Sequence, residues 1–336
     1  MKLKFVLPLM MLLGAIVSAQ AQITLTVADA PAIGDALNYA NDTLPQSLNI
    51  GQPGVNQTWD FSNLQAHTTN TIGMIDPAQA PNNEEFPTAN LVQVGDDGSY
   101  GFASVTSSGV TALGSVLDLL GNDEYTTVVF DPAQTIFTFP TTFGTTFSGS
   151  FGFSLTVDGS DFDVDSIRIT SDAMQTLSAD AYGTLILPTG SHQALRQRIE
   201  TVTETSIFAL FFGTWLPLDS STDTLITYQW LTEEAKGQAL TVDISEDGTI
   251  IYATWFQSLG TFVQAPVANF TFDFQGGGEV QFEDQSSNNP TEWSWDFGDL
   301  STSSQENPVH TYTASGTYEV CLTATNSGGA STSCQD

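Results

Sequence analysis

Hydrophobic residues recur at every second position along much of this chain. Phe151, Phe153, Leu155 and Val157 alternate with small and polar residues, the period of a strand that buries one face. After Asp158-Gly159, a dipeptide suited to the positive backbone angles of a tight hairpin turn, Phe162 and Val164 are expected to open the next strand. Leu240, Val242 and Ile244 repeat the alternation, and across Asp247-Gly248 the segment Thr249 to Ala253 is expected to pair back on them. Asp97-Gly98 marks a further hairpin. No long stretch carries a helical period. Residues 22 to 264 therefore read as one all-β region, and a sheet of that size closes into a large antiparallel sandwich or barrel.

The pattern restarts beyond Gln264-Ala-Pro266, where proline interrupts sheet pairing. Phe270, Phe272 and Phe274 alternate with polar residues, as do Val280 and Phe282, then Trp293, Trp295 and Phe297, then Tyr318, Val320 and Leu322. Residues 267 to 336 thus predict a second unit of short strands.

One run breaks the alternation. Ile207-Phe-Ala-Leu-Phe-Phe212, followed by Gly213-Thr-Trp-Leu216, is the most apolar segment past the N-terminal leader. It is too short to span a bilayer, and a strand buried on both faces is the expectation. An exposed hydrophobic hairpin that meets a partner or lipid is the alternative.

Charge narrows the partners. The 336 residues hold 38 acids against 6 Lys and Arg, a net charge of −32, although only 13% of residues are charged. The imbalance comes from missing bases. The balance argues against nucleic acid and anionic membrane surfaces as partners, since no basic footprint exists to neutralise phosphates. Cations, neutral polymers and surface proteins fit better.

The start of the chain, Met1-Lys-Leu-Lys4 followed by the apolar run Phe5 to Val17 and then Ala19-Gln-Ala21, reads as a secretory signal peptide over residues 1 to 21. The expected mature chain has no transmembrane segment and is secreted or held at the cell surface. Its two cysteines, Cys321 and Cys334, lie opposite each other if Asn326-Ser-Gly-Gly329 is a hairpin tip. A disulfide is predicted there, as an oxidising compartment permits. That register turns Ser331 and Ser333 inward, which counts against it.

Three separated motifs, Trp295-Asp-Phe-Gly-Asp299, Asn307-Pro-Val-His-Thr-Tyr312 and Gly316-Thr-Tyr318-Glu-Val320, resemble the PKD domain, an Ig-like β-sandwich of secreted and surface proteins. Trp295 stands where such a sandwich puts its large inter-sheet aromatic, and Gly316-x-Tyr318 has the spacing of a tyrosine corner. The resemblance implies a spacer, adhesion or binding module. It also assigns motif positions to Asp296, Phe297, Gly298, Asp299, His310, Tyr312 and Tyr318. Gly54-Val-Asn-Gln-Thr-Trp59-Asp-Phe-Ser62 and Tyr182-Gly-Thr-Leu-Ile-Leu-Pro188-Thr-Gly190, with Leu195-Arg196 behind it, resemble secreted Bacteroidota proteins that often end in a sorting domain. Against that pattern the PKD-like unit stops early at Asp336, so it reads as truncated.

No catalytic set stands out. A Gly-x-Ser-x-Gly elbow is absent, and His67, His192 and His310 sit in unrelated contexts. Glu84-Glu85 and Glu233-Glu234 are adjacent pairs whose side chains would point to opposite strand faces, and they read as solvated surface. Asp161, Asp163 and Asp165 would share one face of a strand and could hold Ca2+. No cofactor is required by this reading, and Ca2+ is the one candidate. Trp59, Trp215, Trp230 and Trp255 are candidates to stack on sugar rings, with core packing as the bland alternative. The reading that gathers these features is a non-catalytic binding or adhesion protein for an extracellular polysaccharide or surface protein. A carbohydrate-active hydrolase and a purely structural surface component are its rivals.

Overall fold

The computed structural model describes residues 23–45, 48–118, 125–160 and 163–336; the signal-peptide reading lies outside the described residues. The chain is all-β. Its first thirteen strands are β1 (Asp35–Asp42), β2 (Gly54–Asp60), β3 (Thr68–Ile75), β4 (Leu91–Val94), β5 (Tyr100–Thr106), β6 (Gly109–Leu117), β7 (Thr126–Thr138), β8 (Thr146–Asp158), β9 (Ser166–Leu187), β10 (Gly190–Phe211), β11 (Thr214–Thr232), β12 (Gly237–Ser245) and β13 (Ile250–Thr261).

These strands form one sheet in the order β2-β9-β10-β11-β12-β13-β1-β3-β4-β5-β6-β7. The far edge of β9 is divided: β8 pairs antiparallel with its first half, and β2 pairs parallel with its second. The sheet then curls. Phe130 of β7, at the other end of the strand order, meets Phe151 and Phe153 of β8 with ring centres 6.1 and 6.4 Å apart. The result is the barrel-like arrangement that the alternating pattern predicts.

Inside the curl, Trp230 stands edge-on to Trp59 and Phe61, with centroids 5.8 and 5.0 Å away. Trp255, Leu185, Leu240 and Val242 complete that core. The hairpins at Asp97-Gly98 and Asp247-Gly248 form as expected, joining β4 to β5 and β12 to β13. The third forms differently. Asp158 pairs with Ser166, so Val164 belongs to a loop and β9 begins only at Ser166, while Phe162 lies outside the described residues.

The long strands β8 to β11 outrun the rest of the sheet. β12 pairs with β11 only from Leu225 onward, so the first half of β11 has β10 as its only sheet neighbour among the described residues. The apolar run at 207 to 216 lies in this projecting arm. It corrects the expectation of a strand buried on both faces: Ala209 is buried, but Phe211, Phe212 and Leu216 are exposed, beyond the point where β12 stops pairing with β11.

The C-terminal unit is a sandwich of two sheets. β14 (Phe270–Gly276), β15 (Glu279–Asp284) and β18 (Val309–Thr311) make one; β17 (Thr302–Ser303), β16 (Glu292–Asp296), β19 (Val320–Asn326) and β20 (Gly329–Gln335) make the other. Phe270, Phe282, Trp295, Phe297 and Leu322 fill the space between them. Cys321 lies opposite Cys334 across β19 and β20 and is bonded to it. The inward Ser331 has a partner there: its Oγ accepts from the Ala268 amide at 2.6 Å. The link is tied down as well, since Asn326 Nδ2 donates to the Gln264 carbonyl and Asn288 Nδ2 to that of Ala265, at 2.8 and 2.9 Å.

Candidate functional sites

The free end of the β10–β11 arm is apolar on both faces. Leu210 pairs with Trp215 and Ala209 with Leu216, so side-chain alternation puts Trp215 on the face of Phe208, and Leu216 on that of Phe211. Phe212 stands at the apex, 94% exposed. Its φ of +47° precedes Gly213 at +76°, the pair of positive angles that a tight hairpin turn needs and that a bulky side chain disfavours. Phe211 and Leu218 are exposed too. From Thr205 to Leu218 the chain has no charged residue, despite its overall excess of acids.

One cation serves this tip. The Arg168 guanidinium, on β9, lies 4.4 Å from the Trp215 ring centre and 4.9 Å from that of Phe208. Cation–π attraction fixes the half-buried indole in place and covers one of its faces. Next to the tip is the loop joining β8 to β9, where the Asp165 amide donates to the Leu210 carbonyl at 2.9 Å.

That loop is the acidic constellation. Asp161 lies outside the described residues. Asp163 sits in a turn at φ +59°, and neither it nor Asp165 is on a strand. The geometry that would align three carboxylates on one strand face is therefore not the one present. Among the described residues no three His, Cys, Asp or Glu side chains come together as metal ligands.

The tryptophans divide. Trp59, Trp230 and Trp255 are no more than 1% exposed, so none presents a ring to a polymer, and core packing accounts for them. Large indoles at inward positions of a curled sheet contribute through buried area and edge-to-face contact. Trp215 alone of the four stands at the surface.

In the C-terminal unit, the motif residues hold one another. Phe297 stacks on His310 with centroids 4.3 Å apart, His310 meets Tyr312 edge-on at 4.5 Å, and Tyr312 stacks on Tyr318 at 4.2 Å. Tyr312 donates to the Phe297 carbonyl and Tyr318 to that of Ala314, both at 3.0 Å. Asp296 Oδ1 accepts from the Gly298 amide at 2.9 Å, and Asp299 Oδ2 lies 2.8 Å from His310 Nε2. The Ser301 hydroxyl bonded to Asp299, with His310 beside it, holds that carboxyl at about 2. Gly298 has φ +76°, and a Cβ there would meet the Glu319 carbonyl at 2.5 Å. Trp295, fully buried, donates its Nε1 to Gln305 at 2.8 Å. These polar groups satisfy backbone and neighbours, so they build the loop rather than await a ligand.

Sequence reasoning passed over Arg168, and held Phe211 and Phe212 only as part of the apolar run, with an exposed hairpin as the alternative to a buried strand. A signal was present: two aromatics directly before a glycine, inside a charge-free run, suit a displayed turn at least as well as a buried strand.

The PKD domain profile matches residues 263–336. The PKD1 domain of Vibrio anguillarum Epp is similar to this chain at 35% identity, over 22% of this chain and 92% of that one, with a TM-score of 0.21. A putative exported protein with a YmcC-like fold from Bacteroides fragilis aligns at 8% identity, over 69% of this chain and 97% of that one, with a TM-score of 0.25. No curated protein sequence matches the chain. With its sandwich, its aromatic column and its three motifs in order, the C-terminal part of this chain, residues 263–336, belongs to the PKD domain family.

Proposed function

We propose that this protein is an exported, non-catalytic binding protein that grips a neutral polysaccharide with the apolar tip of its β10–β11 arm, the PKD domain acting as spacer. The observation that carries this reading is Phe212. A fully displayed phenylalanine in a left-handed turn costs about 1–2 kcal/mol relative to a residue that tolerates the conformation, and its ring contact among the described residues is edge-on to Phe211, itself exposed, at 5.6 Å. Stacking on a ring outside the fold offsets that cost.

Other features support the reading. Trp215, held by Arg168, has the rigid aromatic surface that sugar rings stack on. A chain of net charge −32 repels acidic polymers, so the tip, free of carboxylates, favours neutral ones. The signal-like leader and the Cys321–Cys334 disulfide suit an oxidising exterior, as does a PKD domain. Strand addition by a partner protein along the open first half of β11 is less favoured, because Pro217, Asp219 and Asp223 are the residues that guard exposed edges.

Depletion onto insoluble neutral polymers tests it. Protein spanning residues 22 to 336 is incubated with cellulose, chitin or mannan and the supernatant assayed. Uptake by at least one polymer, lost in Trp215→Ala, supports the proposal; equal uptake of wild type and variant overturns it.

A further inference from the structure

The curled sheet contains a hollow. A cavity of about 220 Å3 lies between β1, β4, β5, β6, β7 and the start of β12. Small residues hollow it out: Gly101 and Ala103 on β5, with Ala112 and Gly114 on β6, line it where larger ones would fill it. Gly114 has φ +151°, and a Cβ there would meet the Val128 carbonyl at 2.1 Å, so the backbone geometry keeps that wall bare. Much of the remaining lining is apolar, including Leu37, Leu91, Phe102, Val110, Ile136 and Phe137. An apolar void of about 150 Å3 is already enough to hold benzene.

Its polar groups are few, and Lys236 is the one that carries a charge. Lys236, Gln238, Gln93 and Tyr39 line the cavity, and no Asp or Glu does. In a chain with 38 acids and 6 Lys and Arg, a cavity that has a lysine and no carboxylate runs against the composition. Lys236 makes no salt bridge with a described residue. It sits in the β11–β12 turn at φ +53°, next to Gly237, whose Cα position faces the Phe137 ring. A narrower cleft reaches Leu25 and Phe139 and shares Lys236, Val110 and Phe137 with the cavity; the one acid in its lining, Asp29, already accepts from the Thr26 amide and hydroxyl. Burial pushes the Tyr39 phenol well above its ordinary range, so it remains a hydrogen-bond donor.

We propose that this cavity is a binding site for a single-chain amphiphile with an anionic head, a short fatty-acid carboxylate, whose chain lies among Leu37, Phe102, Val110 and Phe137 and whose carboxylate meets Lys236. An ammonium with no carboxylate in the same cavity selects an anion over a neutral or cationic head. This site is separate from the β10–β11 tip, and the failure of either leaves the other standing.

Isothermal titration of the chain from residue 22 to 336 with octanoate, octan-1-ol and octylammonium tests it. Octanoate is expected to bind at one site, at least about tenfold more tightly than octylammonium, the scale of a charge-assisted hydrogen bond. Lys236→Asn, a residue that tolerates the left-handed turn, is expected to weaken octanoate about tenfold and to leave octanol unchanged. Ala112→Phe fills the cavity and abolishes both. Absent octanoate binding, equal affinity for octylammonium, or undiminished octanoate binding in Lys236→Asn overturns the proposal, and so does undiminished binding in a folded Ala112→Phe. If Ala112→Phe fails to fold, the Lys236→Asn comparison still decides.

Discussion

Arg196 and Asp180 form a two-pronged ion pair inside the curled sheet, with Nε to Oδ1 at 2.8 Å and Nη2 to Oδ2 at 2.9 Å. The Arg196 side chain is 1% exposed. Its Nη1 donates to the carbonyls of Ile50 and Gly51 at 2.5 and 3.1 Å, and the guanidinium lies 5.2 Å from the Tyr228 ring centre. One side chain thereby pins the segment before β2 to strands β9 and β10. Arg196→Met leaves a partly buried carboxylate and two carbonyls without their donor, and should cost about 3–5 kcal/mol. Adding Asp180→Leu should recover a good part of that loss. Urea denaturation followed by circular dichroism measures both, and a single variant as stable as wild type would contradict the assignment.

The low Asp299 carboxyl sets an acid limit on the PKD domain. Bonded to Ser301 and His310, it is ionised down to about pH 2 when folded, whereas in the unfolded chain it takes up its proton nearer pH 4. The stability this carboxylate gives is complete above the unfolded value and is lost as pH falls from about 4 to about 2. Asp299→Asn should flatten the melting temperature of the domain over that window. Asp247 behaves in the same way: the Ser245 hydroxyl and the Thr249 amide hold it at about 2.

The Cys321–Cys334 bond closes a loop with a sequence separation of 13. In the chain-entropy description, closing such a loop stabilises by about 3 kcal/mol. The double variant Cys321→Ala, Cys334→Ala should lower the calorimetric transition of the PKD domain accordingly and leave that of the large sheet in place. A single transition shifted as a whole would show that the two units unfold together.

Stability and binding should separate at Phe212. Phe212→Asn puts a residue tolerant of positive φ at the apex, so the fold should be as stable or more stable by about 1 kcal/mol, while polymer binding falls. Trp230→Ala does the reverse for stability: an indole buried against Trp59 and Phe61 is lost at about 3–5 kcal/mol. Thermal melts of the two variants side by side test the contrast.

Local features were legible in the residues, and features set by distant pairing were not. Asp97-Gly98 and Asp247-Gly248 carry their turn chemistry within a few residues, and the three PKD motifs announce a sandwich whose contacts are mostly short in sequence. By contrast, β1 joins β13 through Asp35 and Thr261, a pairing that no local pattern encodes. The same distance misled the reading of residues 207 to 216. Hydrophobicity implied burial, but exposure was decided by how far β12 extends along β11, and that ends at Leu225. Trp59, Trp230 and Trp255 were ambiguous for a related reason: alternation tells which side chains share a face, and only the curl of the sheet tells which face is inside. Ser331 shows the converse, since its inward position counted against the disulfide register until the Ala268 amide supplied its partner.

The most direct test of the binding account is migration in native gels cast with neutral polysaccharides, followed by staining for degraded polymer. Wild-type protein should be retarded in at least one polymer without clearing it, and the combined Phe212→Asn, Trp215→Ala variant should run as in a blank gel. Cleared polymer under the wild-type band, or equal retardation of wild type and variant, would contradict a non-catalytic site at the β10–β11 tip.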